Sequence, residues 1–216
     1  MKFSDYMDSV KDVPVSDKLE YTIAVMWLHP GRLPLGVVSL GDETMPVIKI
    51  PARARNTFGH EGEKHIVPVI AFSKKAFRGR THITDIILPS SVGGFPAGAF
   101  AGCENLRNIT IPKRVGIIRQ DTFAGCTNLE NIYYEGSPEE WKKIRIVHQK
   151  HEVELGGLIS GTPVHRIESE RWMHIPGNEP LFSANIHFNC QIGEIPCPEF
   201  HIRTGGKDIS DAFRIV

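Results

Sequence analysis

The residues of this 216-residue chain that could do chemistry are four cysteines, ten histidines and a group of carboxylates beside Trp141. Cys103 and Cys126 stand at the same place in two nearly identical stretches. Stacked coils would bring their backbones within disulfide range. The competing expectation is that both are small buried fillers with free thiols, and a reducing compartment favours it. Cys190 and Cys197 flank "QIGEIP", and no pair has the two-residue spacing of a zinc knuckle or a thioredoxin-like site. His148 and His151 are three apart, and His60 and His65 flank a charged loop. A metal site needs three or four converging ligands with a supporting shell, and neither group supplies them. Glu135, Glu139 and Glu140 could in principle share acid and base work. A helix start accounts for them better. Ser137 is placed to cap, Pro138 suits the first helical position, and Glu140 stands where a capping box requires it. "TGGKD" lacks the early glycine and the following serine or threonine of a phosphate loop. No nucleophile elbow or metalloprotease helix is written in the chain. The reading is therefore non-catalytic, with no cofactor and no metal.

The elements that hold these residues are repetitive. "FAGCENLRNI" at 100–109 returns as "FAGCTNLENI" at 123–132, eight of ten positions identical at an offset of 23. The offset carries Phe77 onto Phe100 and Phe123, and Gly79 onto Gly102 and Gly125. It also aligns Ile83, Leu106 and Leu129, then Ile86, Ile109 and Ile132, then Leu88, Ile111 and Tyr134. A fixed apolar set recurring at this period is the mark of a solenoid. One such coil has too few neighbours to dry its own apolar face, so the inward residue types must return once per winding. Glycine at 79, 102 and 125 is expected to supply a turn that a side chain would obstruct. Alternation in "NITIP" predicts a short strand ended by proline, pairing in parallel with its equivalents. Asn105 and Asn128, in register, are expected to tie down the turns before the strands.

At these residues the sequence resembles the BspA-type leucine-rich repeats. The matching text is "AFRGRTHITDIILPSSV", "AFAGCENLRNITIPKRV" and "TFAGCTNLENIYYEGSPEEW", with the closing pieces at Tyr133–Gly136 and Glu139–Trp141. "GNEPLFSANIHFN" at 177–189 is similar to the family's last capping strand. The resemblance implies a β-rich, right-handed repeat solenoid of about 23 residues per coil with short parallel strands and non-repeat caps. It also implies an interaction role. The chain departs from the pattern at Arg80, in the charged stretch between Pro51 and Val67, and in about one extra coil's worth of chain between Ile146 and Gly177.

The expected organisation is a polar N-terminal segment at 1–18, with a short helix around Tyr6–Val10. An N-terminal cap and irregular first coil follow at 19–66, with strands in "YTIAVMWL" and "LGVVSLGD". The repeats occupy 67–146, an insertion and capping strand 147–189, and a tail 190–216. Balanced charge argues against a nucleic-acid footprint. No apolar run reaches membrane-spanning length. The N-terminus has no secretory h-region, which makes the cytoplasm the expected location, or the cell surface if a signal has been trimmed.

Inward residues of a solenoid belong to the core, so binding must use what faces outward. Strand alternation is expected to expose Asp85 and Ile87, Asn108 and Thr110, and Asn131 and Tyr133, with Lys49 and His187 extending the row. The function expected is a scaffold that binds another protein or a surface polymer through this face. An adhesin or self-assembling unit is the alternative. An enzyme using His148, His151, His165 and Glu168 in the 147–176 insertion is the weakest of the three readings.

Overall fold

The computed structural model describes residues 1–16, 18–28, 31–39, 43–56, 65–73, 76–147, 177–193 and 195. Of 20–28, 31–39, 55–56 and 65–67 it describes the backbone. Residues 148–176 and 196–216, which include His148, His151, His165, Glu168, Cys197 and "TGGKD", lie outside the described residues, as does His60.

Phenylalanine forms the axis of the coil stack. The rings of Phe77 and Phe100 lie 5.5 Å apart and those of Phe100 and Phe123 5.2 Å apart, all fully buried. Phe95 meets Phe100 edge-on at 5.3 Å and lies 5.9 Å from Phe72. Around this column Ile83, Leu106 and Leu129, and Ile86, Ile109 and Ile132, close a single dry core. Each buried ring or aliphatic side chain contributes about 1.5–3 kcal/mol relative to exposure.

The strands follow from that stacking. Strands β3 (Val47–Lys49), β6 (Asp85–Ile87), β7 (Asn108–Ile111), β9 (Asn131–Tyr134) and β11 (Asn185–His187) form one parallel sheet, in the order β11-β9-β7-β6-β3. Register is strict: Asn108 pairs with Asn131 and Ile109 with Ile132, and Asp85 pairs with Asn108. On the other side of the coils β8 (Ile117–Arg119) pairs in parallel with β10 (Arg145–Val147). Between β9 and β10 lies the short helix α2 (Pro138–Trp141). Ser137 Oγ accepts from Glu140 N at 3.3 Å while Ser137 N donates to Glu140 Oε2 at 2.8 Å, completing the expected capping box. Strand β11 follows α3 (Pro180–Ser183) and is the last strand of the sheet among the described residues.

Ahead of the repeats, β1 (Glu20–Leu28) and β2 (Gly31–Ser39) make an antiparallel hairpin. Strand β2 runs parallel to β5 (His65–Phe72), and β4 (Arg53–Asn56) pairs antiparallel with β5. Within the charged stretch after Pro51, expected as a loop, Arg53–Asn56 and the start of β5 are therefore paired strand. Strand β5 itself is the near-continuous apolar run "HIVPVIAF".

The turn glycines sit where expected. Gly79, Gly102 and Gly125 have φ of 73°, 79° and 75°, the left-handed region that disfavours a side chain. They also stack: a Cβ on Gly102 would lie 3.3 Å from Gly79 Cα. Gly79 N donates to Ala101 O at 2.8 Å and Gly102 N to Ala124 O at 2.7 Å. Cys103 and Cys126 are free and buried, and each thiol donates to the preceding coil, to Phe77 O at 2.9 Å and Phe100 O at 3.2 Å. The asparagines do the same work across coils, Asn105 Nδ2 to Thr81 O at 2.8 Å and Asn128 Nδ2 to Glu104 O at 2.9 Å.

Gly102→Ala should lower stability by about 2 kcal/mol in urea unfolding, through backbone strain and the contact with Gly79. Gly116→Ala, which meets nothing within 4 Å, should change it by less than about 0.5 kcal/mol. Burial pushes the Cys103 thiol up to about 11 and Cys126 to about 12. The unfolded thiols, near 9.0, lose protons first as pH rises. Their stabilising contribution is thus whole below pH 9 and drains away toward pH 11–12. A Cys103→Ala/Cys126→Ala chain should show a shallower fall in urea midpoint across that range.

Candidate functional site

The outer face of the parallel sheet gathers the residues that alternation singled out. Lys49 stands in register with Ile87, Tyr133 with Thr110, and His187 with Tyr133. Asp85, Asn108 and Asn131 form the neighbouring row. Asn108 Nδ2 donates to Asp85 Oδ1 at 2.7 Å and Asn131 Nδ2 to Asn108 Oδ1 at 2.9 Å. His187 Nε2 lies 3.1 Å from Asn131 Oδ1, so the amides run as a ladder across the strands.

Exposure is where the expectation fails. Ile87, Thr110 and Tyr133 are fully buried, Lys49 and Asn131 nearly so, and Asp85, Asn108 and His187 half-buried. Two causes account for this. Thr110 turns its hydroxyl onto the sheet itself: Oγ1 accepts from Leu88 N at 2.7 Å and lies 3.3 Å from Leu88 O. The rest of the row is covered by helix α1 (Phe3–Val10) and the chain that follows it. The covering helix is the one expected near Tyr6, but its role as a lid over the strands went unread. The signal was present in the spacing of Phe3, Tyr6, Met7 and Val10, which places four apolar side chains on one helical face.

The contact is specific. The Tyr6 ring stacks on Tyr133 at 4.6 Å with 13° between planes, and Phe3 approaches Tyr133 at 5.3 Å. Tyr133 also stacks on His187 at 4.8 Å. Tyr6 and Val10 are buried, while Ser4, Asp5, Asp8 and Ser9 face outward. At the helix C-terminus the Lys49 ammonium donates to Lys11 O at 3.2 Å and to Val13 O. Lys11 is the C-cap residue and Val13 lies beyond it, so Lys49 ties down the chain where it leaves the helix. The chain then meets β3, with Lys49 N donating to Ser16 Oγ at 3.1 Å and Ser16 N to Lys49 O at 3.3 Å.

Tyr133 Oη is buried without a hydrogen-bond partner, while the buried Tyr6 Oη has the Asp85 carboxylate beside it. Burial, and then the Asp85 carboxylate, push the Tyr6 phenol above its ordinary value. Burial, then Cys190 and Asp85, push Tyr133 up to about 12. Burial lowers Lys49, with Asp12 opposing, and lowers His187, with the N-terminal amine adding to it.

No catalytic arrangement emerges from these groups. Glu139 Oε2 accepts from Ser137 Oγ at 2.8 Å, so Glu139 and Glu140 are both engaged in the α2 cap. Glu135 bridges coils, accepting from Ser90 Oγ at 2.7 Å and Lys113 N at 3.1 Å. The buried thiols lack the depressed pKa of a nucleophile. Among the described residues no three His, Cys, Asp or Glu side chains gather to hold a metal ion, and no helix is long and apolar enough to cross a membrane.

Residues 66–145 match the family described as BspA type Leucine rich repeat region (6 copies). A leucine-rich repeat protein of T. pallidum is similar in structure, with 20% identity and a TM-score of 0.43, covering 59% of this chain and 61% of that one. A leucine-rich repeat protein from Bacteroides ovatus ATCC 8483 matches at 21% identity and a TM-score of 0.39, covering 61% and 36%. A leucine rich cell surface protein from Faecalibacterium prausnitzii A2-165 matches at 20% identity and 0.40, covering 58% and 34%. The matches thus span between about a third and three fifths of those chains. No curated protein matches the sequence.

Because the buried Tyr6 hydroxyl has only the Asp85 carboxylate beside it, Tyr6→Phe should change stability by less than about 1 kcal/mol. Tyr6→Ala should cost about 3 kcal/mol, the loss of a well-packed ring. Urea unfolding followed by tyrosine fluorescence distinguishes the two.

Proposed function

We propose that the chain is a non-catalytic scaffold that binds another protein through the strand face. The binding surface centres on Ile87, Tyr133 and His187, with Lys49 at one end and the Asp85–Asn108–Asn131 ladder beside it. Leucine-rich repeats of this type serve generally as protein-interaction scaffolds. The observation that carries the finer reading is that this face already holds a peptide segment, by ring stacking on Tyr133 and by Lys49 capping of backbone carbonyls. A surface that grips a segment in this way has the aromatic anchor and the aligned polar groups that interfaces use. Thr110, its hydroxyl committed to Leu88, contributes shape to the surface and no hydrogen bond to a partner.

The test uses full-length chain immobilised as bait in lysate of the source organism. Tyr6→Asp/Val10→Asp, which unseats α1, should capture a protein more strongly than the native chain. Adding Ile87→Asp and Tyr133→Ala should reduce that capture at least tenfold while circular dichroism still reports a cooperative fold. Equal capture by all three would clear the strand face of any role.

A further inference from the structure

Resting on the interaction reading, we propose that α1 occupies the strand face as a displaceable stand-in, and that the partner this face takes is an amphipathic helix. That helix carries an aromatic residue over Tyr133, an aliphatic residue four positions later, and its C-terminal turn over Lys49.

The chemistry of the occupant is written in α1. Phe3, Tyr6, Met7 and Val10 fall at the spacing of a single helical face, and all four pack into the cluster formed by Ile87, Tyr133, Cys190 and Ile195. This is helix-in-groove recognition, read by anchors at i, i+3, i+4 and i+7. The polar residues of α1 touch solvent, so only the apolar stripe is specified by the groove. Lys49 adds an end-marker. Its ammonium holds the carbonyls of the C-cap Lys11 and of Val13 beyond it, where the chain has left the helix, so a partner helix that reuses this contact ends there too.

Displaceability follows from what α1 lacks. It is eight residues long, with no side-chain cap at Lys2 and no basic residue in its last turn. A helix this short is marginal by itself, so the groove makes it helical. Its fit is also incomplete. Tyr133 Oη is buried unpaired beneath it, and Tyr6 Oη has only the Asp85 carboxylate beside it. A partner helix that sets a hydrogen-bonding side chain against Tyr133 Oη would satisfy it and outcompete the tethered segment. Until it does, the tether keeps the groove closed, because a linked segment acts at about millimolar effective concentration. Recognition then carries a threshold, since apparent affinity falls in proportion to the fraction of chains in which the groove stands open.

The probe is a fluorescein-labelled peptide of residues 1–16, titrated by anisotropy into full-length protein. It should bind the Tyr6→Asp/Val10→Asp chain at least tenfold more tightly than the native chain. It should gain helical circular dichroism on binding, and lose binding when the peptide itself carries Phe3→Ala and Tyr6→Ala. Failure to bind the cooperatively folded double variant would overturn the proposal. If that variant still captured protein through Ile87 and Tyr133, the interaction reading would stand and only the helical partner would fall. Hydrogen exchange on the native chain supplies a second measure. The amides of α1 should exchange at least tenfold faster than those of β7 and β9; equal protection would make α1 a fixed part of the fold and overturn displacement. A concentration-dependent native dimer in sedimentation, abolished by Tyr6→Asp, would identify the occupant as another copy's α1 and overturn it likewise.

Discussion

Drying that no single coil can achieve alone is the constraint from which the rest of this structure follows. Phe77, Phe100 and Phe123 are each enclosed because the windings above and below supply the missing walls. Once the rings are superposed, the strands of successive coils have one register, and the backbone turns that feed them must also superpose. The turns come close enough that glycine stacks on glycine, and small thiols and amides reach across to the neighbouring backbone. Hydrophobic burial thus chooses the architecture, and short directional bonds align it.

A parallel sheet of this kind buries one face in the coil and leaves the other to be covered or to bind. Here the outer face is too apolar at its centre to stay wet, with Ile87 and Tyr133 on the strands either side of the one that carries Thr110. The N-terminal segment lies over it, and Lys49 at the polar end of the row holds the chain where it leaves the helix. Binding surface and internal packing are therefore the same set of side chains. Access to the one requires giving up part of the other.

Much of the fold could be read from the chain because stacking enforces identity at a fixed interval. Phe, Gly, Cys, Asn and Ile at equivalent places have equivalent neighbours, so the period of 23 exposes the core, the turns and the strands together. The capping box at Ser137 and Glu140 was legible for a local reason: it needs only four residues and their own backbone. The state of the strand face was not. Alternation within a strand states which side chains turn away from the core, and Lys49, Ile87, Tyr133 and His187 do share that side. It contains nothing about a segment some forty or more residues upstream that folds back on them. The stripe of Phe3, Tyr6, Met7 and Val10 announced a helix seeking a surface, but not which surface. Thr110 failed for another reason, since its hydroxyl replaces a ladder bond to Leu88 that no sequence pattern encodes.

The glycine column carries an implication for how such a chain can lengthen. Between each turn glycine and the strand after it, every residue is matched to a counterpart one winding away, so an odd-sized insertion there would set side chains against backbone all along the stack. The arc beyond the strand is more forgiving: α2 sits between β9 and β10, and β10 still finds its place beside β8. Growth by whole windings, with ornament confined to that rear arc, is the evolutionary latitude this geometry leaves open.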